Sequence, residues 1–425
     1  MTARGTRSWI GLLTVVLVAC QSSPARDPAD PFDSLHRLAA EIAESAEIAR
    51  VDEASSVPNG GAEGALHVLR LLRRAIDEEI AWADTAHPFF QAQDERFAKL
   101  ALGNPDNLYL VTRIDDEAEY VIRGRRGTTA DFNVQVYQGY PGIHRPMRAF
   151  GSIGLDSLVT DAEGRFEIHV GGAPRDENWI ELLPGSRRIL VRFTYGDWAA
   201  EEAGVLTIER VGERGTRSGT VTDAEAARRI AAAADYLEDA LRGYAELVDQ
   251  VYTGIEPNTL RPMRRLTGET GGLSNQYNGT GRYAVDDETA LLVTTRPSRS
   301  RYQGFQIGTE WFEALDFVNQ TTSLNTAQAR LSSDGRYRFV IATRDPGVAN
   351  WLDASSAPQG QILLRWQGVV GELGPEHEPT VELVRLDALA DHFPDDEPAF
   401  SPAMRRAQIA ERQGAVARRY GLSRR

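Results

Sequence analysis

The chain has 425 residues, 25% charged and 42% hydrophobic, an ordinary globular balance with length for two or three domains. Its 47 basic and 61 acidic residues leave a net charge of −14, which argues against the clustered basic surface of a nucleic-acid-binding protein. A single cysteine excludes intrachain disulfides and any cysteine-rich metal site, and a single lysine, Lys99, stands among arginines, a bias read as codon usage.

Arg4 and Arg7 precede an apolar run from Trp9 to Val18, the layout of a secretory signal and too short to span a bilayer. The run ends in Leu17-Val18-Ala19-Cys20, which resembles a bacterial lipobox. That resemblance implies a signal over 1–19, cleavage before Cys20 and lipidation of Cys20. Gln21 after the cysteine favours the outer membrane, so the expected address is the cell envelope, lipid-anchored and facing the periplasm. Residues 20–30 are polar with Pro and Ser and read as a tether.

Residues 31–102 read as a helical lead-in. Leu35, Leu38, Ile42, Ala46 and Ala49 recur at helical spacing, with Asp33 or Ser34 as N-cap. Leu66, Leu69, Leu72, Ile76 and Ile80 form a second stripe, and the two predict a helical hairpin. The turn cluster Gly103-Asn104-Pro105-Asp106-Asn107 then opens a first β-sandwich module over 103–215. Its strands are expected at 108–112, 120–122, 132–137, 166–170, 189–195 and 205–208. The capping box Thr222-Asp223-Ala224-Glu225 opens a linking helix over 220–254. A long loop from Glu256 to Arg282 leads into a second β-sandwich module over 255–392, its β region running from Ala290 to Val384. A basic C-terminal helix over 400–425 closes the chain. From Arg405 it carries 7 arginines against Glu411, with Ile409, Val416 and Tyr420 on one face. That face docks on the acidic body, or the arginines meet anionic head groups or a partner.

The two β regions read as copies. Gln135-Val136 recurs as Gln306-Ile307, and Gly164-Arg165-Phe166 as Gly335-Arg336-Tyr337, each 171 positions on. Asn178-Trp179 recurs as Asn350-Trp351 after 172, and Arg192 as Arg365 after 173. Ordered matches at a nearly constant offset predict a tandem duplication. The fold class is therefore mainly β with helices: two tandem antiparallel β-sandwiches, an N-terminal helical hairpin, a linking helix and a C-terminal helix.

Several separated motifs carry a family resemblance. They are Tyr302-Gln303-Gly304-Phe305-Gln306-Ile307-Gly308-Thr309-Glu310-Trp311, Ser323-Leu324-Asn325-Thr326-Ala327-Gln328-Ala329, Arg344-Asp345-Pro346-Gly347-Val348-Ala349-Asn350-Trp351-Leu352-Asp353 and Leu364-Arg365-Trp366. Over roughly residues 100–390 the chain resembles the bacterial "domain of unknown function twelve-fourteen" family. The resemblance implies paired jelly-roll-like sandwiches and supplies no agreed activity. Where the family pattern has histidines, this chain has Thr343 and Ser356-Ala357, so no proton-transfer role carries over there.

The candidate ligand-binding residues are Glu310, Trp311, Asn325, Asp345, Asn350, Trp351, Asp353 and Arg365, a set of carboxylates, an arginine and indole faces suited to a sugar or an organic acid. The plainer reading has them capping turns and tying loops to sheet edges. Arg365 follows three apolar residues and, pointing inward, needs a partner, for which Asp345 or Asp353 is the expected choice. His144 sits in a long loop as a solvated side chain or an acid–base group. The acidic runs Asp286-Asp287-Glu288 and Asp395-Asp396-Glu397 lack EF-hand spacing, no His-x-x-x-His or Gly-x-Ser-x-Gly occurs, and neither metal nor cofactor is expected. Two functions remain: an envelope lipoprotein binding a small polar ligand or partner, or a hydrolase or transferase using Glu310, Asp345 or Asp353 beside Arg365.

Overall fold

The computed structural model describes residues 30–139, 148–252, 254–266, 273 and 276–421. Cys20, with the signal and most of the tether, and His144 lie outside them. Helix α1 (Pro31–Val51) and helix α2 (Gly60–Ile76) lead in, followed by a π turn at Asp77–Ala81, strand β1 (Gln91–Gln93) and the short α3 (Glu95–Ala98). The first sandwich holds β2 (Asn107–Arg113), β3 (Tyr120–Gly127), β4 (Asp131–Tyr137), β5 (Ala149–Gly154), β6 (Arg165–Val170), β7 (Trp179–Ile180), β8 (Arg188–Thr194) and β9 (Ala203–Arg210). Helix α4 (Asp223–Tyr252) links it to β10 (Thr259–Leu260), β11 (Arg264–Arg265), β12 (Gln276–Ala284), β13 (Thr289–Thr295), β14 (Tyr302–Gly308), β15 (Ser323–Asn325), β16 (Tyr337–Ala342), β17 (Trp351–Asp353), β18 (Gln359–Gln367) and β19 (Thr380–Arg385). Helix α5 (Pro402–Tyr420) ends the described chain.

The duplication is visible strand for strand. The first module pairs β1-β2-β8-β4-β5 in one sheet and β7-β6-β3-β9 in the other; the second pairs β10-β12-β18-β14-β15 and β17-β16-β13-β19. Register repeats as well: Gln135 lies opposite Leu190, and Gln306 opposite Leu363. Each module also has one parallel pair, β6 with β7 and β16 with β17. Alternation along β4 sends Phe132, Val134 and Val136 into the first core, and along β14 sends Phe305 and Ile307 into the second. Phe305 stacks on Phe339 across the second sandwich at 3.7 Å between centroids.

Both long sheets are covered on their outer faces too, so β4 and β14 are buried along their whole length. Over the second module the cover is α4, whose Tyr236, Leu237, Leu241 and Tyr244 cluster with Leu71, Leu102, Phe312 and Leu363. Thr222 accepts a hydrogen bond from Glu225 N at the start of α4, whereas the Glu225 carboxylate turns to Arg228 and Arg229 instead of closing the box.

Three expectations need correction. Helix α1 is capped by Asp30, whose carboxylate accepts from Phe32 N at 2.7 Å, because Pro31 occupies the first helical position; Ser34 is instead buried on the packed face with Leu38, Ser45 and Ala49, while Leu35 is exposed. In α2 the buried face is Gly64, His67, Val68, Leu71, Arg74 and Ala75, leaving Leu66, Leu69 and Ile76 exposed. A polar contact fixes the phase, since His67 on the packed face finds a buried partner in Glu313 of the second module. The stretch expected as loop before Arg282 contains β10, β11 and most of β12, its Gly279 and Gly281 admitting the side chains of Met263, just before β11, and Leu260 of β10.

Candidate functional site

Most of the residues singled out in the sequence are fold staples. Asn350 Oδ1 accepts from Arg330 N and its Nδ2 donates to Arg330 O, both at 2.7 Å. Asn178 clamps Val159 in the same way at 2.9 and 2.8 Å. Trp351 Nε1 donates to Ala342 O at 2.9 Å, as Trp179 Nε1 does to Gly171 O at 3.0 Å. Asp353 caps Ser355 N at 2.9 Å, and burial pushes its carboxyl above the ordinary range. Asp345 accepts from Gly347 N at 2.9 Å and from Arg405 Nε at 3.1 Å.

Arg365 does not pair with Asp345 or Asp353. Its Nη1 donates to Gln306 Oε1 at 2.6 Å and its Nη2 to the Leu102 carbonyl. Strand register is the cause. Arg365 lies on β18 opposite Gly304, on the face turned away from the sandwich core, whereas Asp345 and Asp353 belong to the loop and strand on the edge of the other sheet.

Asn325 belongs to the seam between the modules. Its side chain holds an Asx turn with Ala327 N at 2.9 Å and donates to Asp106 Oδ1 at 2.7 Å. Buried Asp106 also accepts from Trp198 Nε1 and Tyr302 Oη, both at 2.6 Å. Desolvation raises its carboxyl, opposed by these donors and by Arg419. Helix α5 carries three arginines seven residues apart: Arg405 stacks on Trp351 and Phe400 of the second module's side, while Arg412 on Trp198 and Arg419 on Tyr195 and Trp198 close the seam. The buried face of the helix is Arg405, Arg412, Ala415 and Val416; of the expected face only Val416 is buried, with Ile409 and Tyr420 half-buried, because the arginines take the inward positions.

Of the set, Glu310 and Trp311 line one cavity among the described residues. It measures ≈ 140 Å³ and lies between the start of α2 (Val57 to Gly60, with Glu63), Lys99, the segment Thr309 to Trp311, and Ser356-Ala357. Asp316 and Gln320 complete the polar wall. Trp311 is fixed there: its Nε1 donates to Gly60 O at 2.9 Å and its ring lies 5.3 Å from that of His67. Behind the indole, His67 Nδ1 meets Glu313 Oε1 at 2.7 Å, and Arg70 bridges Glu313 to Glu63. Glu310 Oε1 accepts from Arg282 Nη2 at 3.0 Å.

The backbone beside this cavity is strained. Lys99, Ala101, Leu102 and Phe312 all have positive φ, at 54, 57, 45 and 57°. The two segments lock together through Leu102 N to Phe312 O and Ala314 N to Lys99 O, each 2.9 Å. Glu63, His67 and Glu313 carry no mark in the sequence, and Lys99 stands out there as the solitary lysine, read as codon usage. Among the described residues no three His, Cys, Asp or Glu side chains are placed to hold a metal, and no helix is long and apolar enough to cross a membrane.

No family model and no curated protein matches the chain. Among solved structures it is similar to an uncharacterized protein from Burkholderia cenocepacia, with 28% identity and a TM-score of 0.76 over 84% of this chain and 97% of that one. The VPA0106 protein from Vibrio parahaemolyticus is similar at 13% identity and a TM-score of 0.42, over 75% of this chain and 98% of that one. The first likeness extends over nearly the whole of the Burkholderia protein, and so to a shared architecture.

Proposed function

We propose that the protein is an envelope lipoprotein of the "domain of unknown function twelve-fourteen" type, anchored through acylated Cys20 and facing the periplasm, that binds a small polar ligand at Glu310 and Trp311. The observation that carries the binding reading is the ≈ 140 Å³ cavity with a fixed indole wall and a carboxylate. An apolar cavity of about 150 Å³ holds a benzene molecule, so this one suits a ligand of comparable size. The hydrolase or transferase reading loses its arrangement, since Arg365, Asp345 and Asp353 have other partners and Glu310 alone of its three carboxylates lines the cavity.

The test is thermal stability of the full-length protein in detergent across a panel of cell-wall and metabolite compounds. A compound that raises Tm in the parent and not in Trp311→Ala supports the reading, and an unmoved Tm across the panel removes it. For the anchor, Cys20→Ser should release the protein from the membrane fraction; unchanged fractionation refutes lipidation.

A further inference from the structure

The cavity wall carries four ionisable side chains, and their existing partners differ. Glu63 is held by Arg70 at 3.0 Å. Asp316 is spent on its own turn, accepting from Val318 N, Asn319 N and Asn319 Nδ2. Glu310 gives one oxygen to Arg282, and its Oε2 takes no hydrogen bond from any described residue. The ammonium of the half-buried Lys99, a residue on a left-handed backbone, makes no ion pair or hydrogen bond among the described residues. One cation and one carboxylate oxygen therefore stand at the same small cavity without a protein partner among the described residues. Partly desolvated charges of this kind are stabilised by complementary charge. A ligand with only a carboxylate would meet Lys99 but face Glu310, and one with only an amine would meet the reverse conflict.

We propose that the ligand is a zwitterion of about six non-hydrogen atoms, an amino acid in chemical class, its carboxylate on Lys99 and its ammonium on Glu310. This rests on the ligand-binding reading above. Lys99 supplies the anion seat, Glu310 Oε2 the ammonium seat, and Trp311 the flat wall against the side chain.

Alanine, as either enantiomer, is the probe, with propionate and propylamine each lacking one charge. Calorimetric titration of the full-length protein in detergent should show alanine binding, and both analogues at least tenfold weaker. Lys99→Met and Glu310→Gln should each weaken alanine at least tenfold. Lys99→Met should keep the apo Tm, because it breaks no internal bond. The single lysine permits a second readout: ¹³C reductive methylation preserves its charge and gives one side-chain resonance. Alanine should shift that resonance in the parent and not in Glu310→Gln. Equal alanine affinity in Lys99→Met, propionate binding as tight as alanine, or no response to alanine overturns the zwitterion. If another panel compound still protects the parent and not Trp311→Ala, the ligand-binding reading survives that failure. Alanine binding unchanged in Trp311→Ala would remove both.

Discussion

Arg365 Nη1 donates to Gln306 Oε1 at 2.6 Å, and the first module repeats the contact as Arg192 Nη1 to Gln135 Oε1 at 2.8 Å. With the two Asn clamps and the two Trp N–H bonds, it makes a third side-chain staple copied with the fold. A buried guanidinium bonded to two oxygens is expensive to remove, because both acceptors are then left dry. Arg365→Met should lower the unfolding free energy by about 3 kcal/mol, and Arg192→Met, at a half-exposed position, by about 1. Urea unfolding checks this. An Arg365→Met protein of parental stability would show that the arginine is not a staple.

The duplication was legible because the copied residues do the same job in each sandwich. Gln135 and Gln306, Arg192 and Arg365, and Asn178 and Asn350 keep their spacing since each fixes one register or one loop. The same fact made them poor guides to function. The cavity draws on residues 57–63, 99, 309–320 and 356–359, so no local spacing marks it. The packed face of α2 was illegible for a different reason. Its leucines form the cleaner stripe, but the buried partner of His67, Glu313, lies on the opposite side, and an unpaired buried carboxylate costs more than an exposed leucine.

Helix α5 is predicted to couple the two modules. Arg412 reaches Phe317 O at 2.9 Å and Ser323 Oγ at 3.1 Å in the second module while lying over Trp198 of the first. Burial pulls its guanidinium down to about 10, which still leaves it charged at neutral pH. Arg412→Ala should cost about 3 kcal/mol and split a single calorimetric unfolding peak into two. Exposed Arg406 and Arg418 serve as controls: their alanine variants should change neither Tm nor liposome binding.

Glu95 gives stability a pH slope. It is fully buried, accepts from Gln93 Nε2 at 2.5 Å and has a second oxygen with no partner, and desolvation pushes its carboxyl from 4.5 up to about 7. Between those values the folded chain holds a proton that the unfolded chain has lost. This contribution therefore falls as pH rises from 4.5 to 7. At pH 8 the ionised carboxylate costs about 3 kcal/mol, order of magnitude, relative to a neutral group. Glu95→Gln should stabilise the protein by about that amount at pH 8 and by little at pH 4.5. Parallel stability-against-pH curves for parent and variant would refute it.

Gly64 sets the position of the cavity's indole wall. A Cβ at this position would lie 2.5 Å from Trp311 Cζ2 and 3.0 Å from Cε2. The ring has little freedom to retreat, being held by the Gly60 carbonyl on one side and the buried His67 on the other. Gly64→Ala should therefore destabilise by about 1–3 kcal/mol despite alanine's better helix propensity. It should also shift tryptophan emission and abolish protection by any compound that occupies the cavity. At Gly61, one turn earlier, a Cβ meets only Ser55 O at 3.8 Å. Gly61→Ala should be neutral or stabilising by up to about 1 kcal/mol, the ordinary helix effect. Equal Tm values for the two variants would mean that Trp311 is not confined as described.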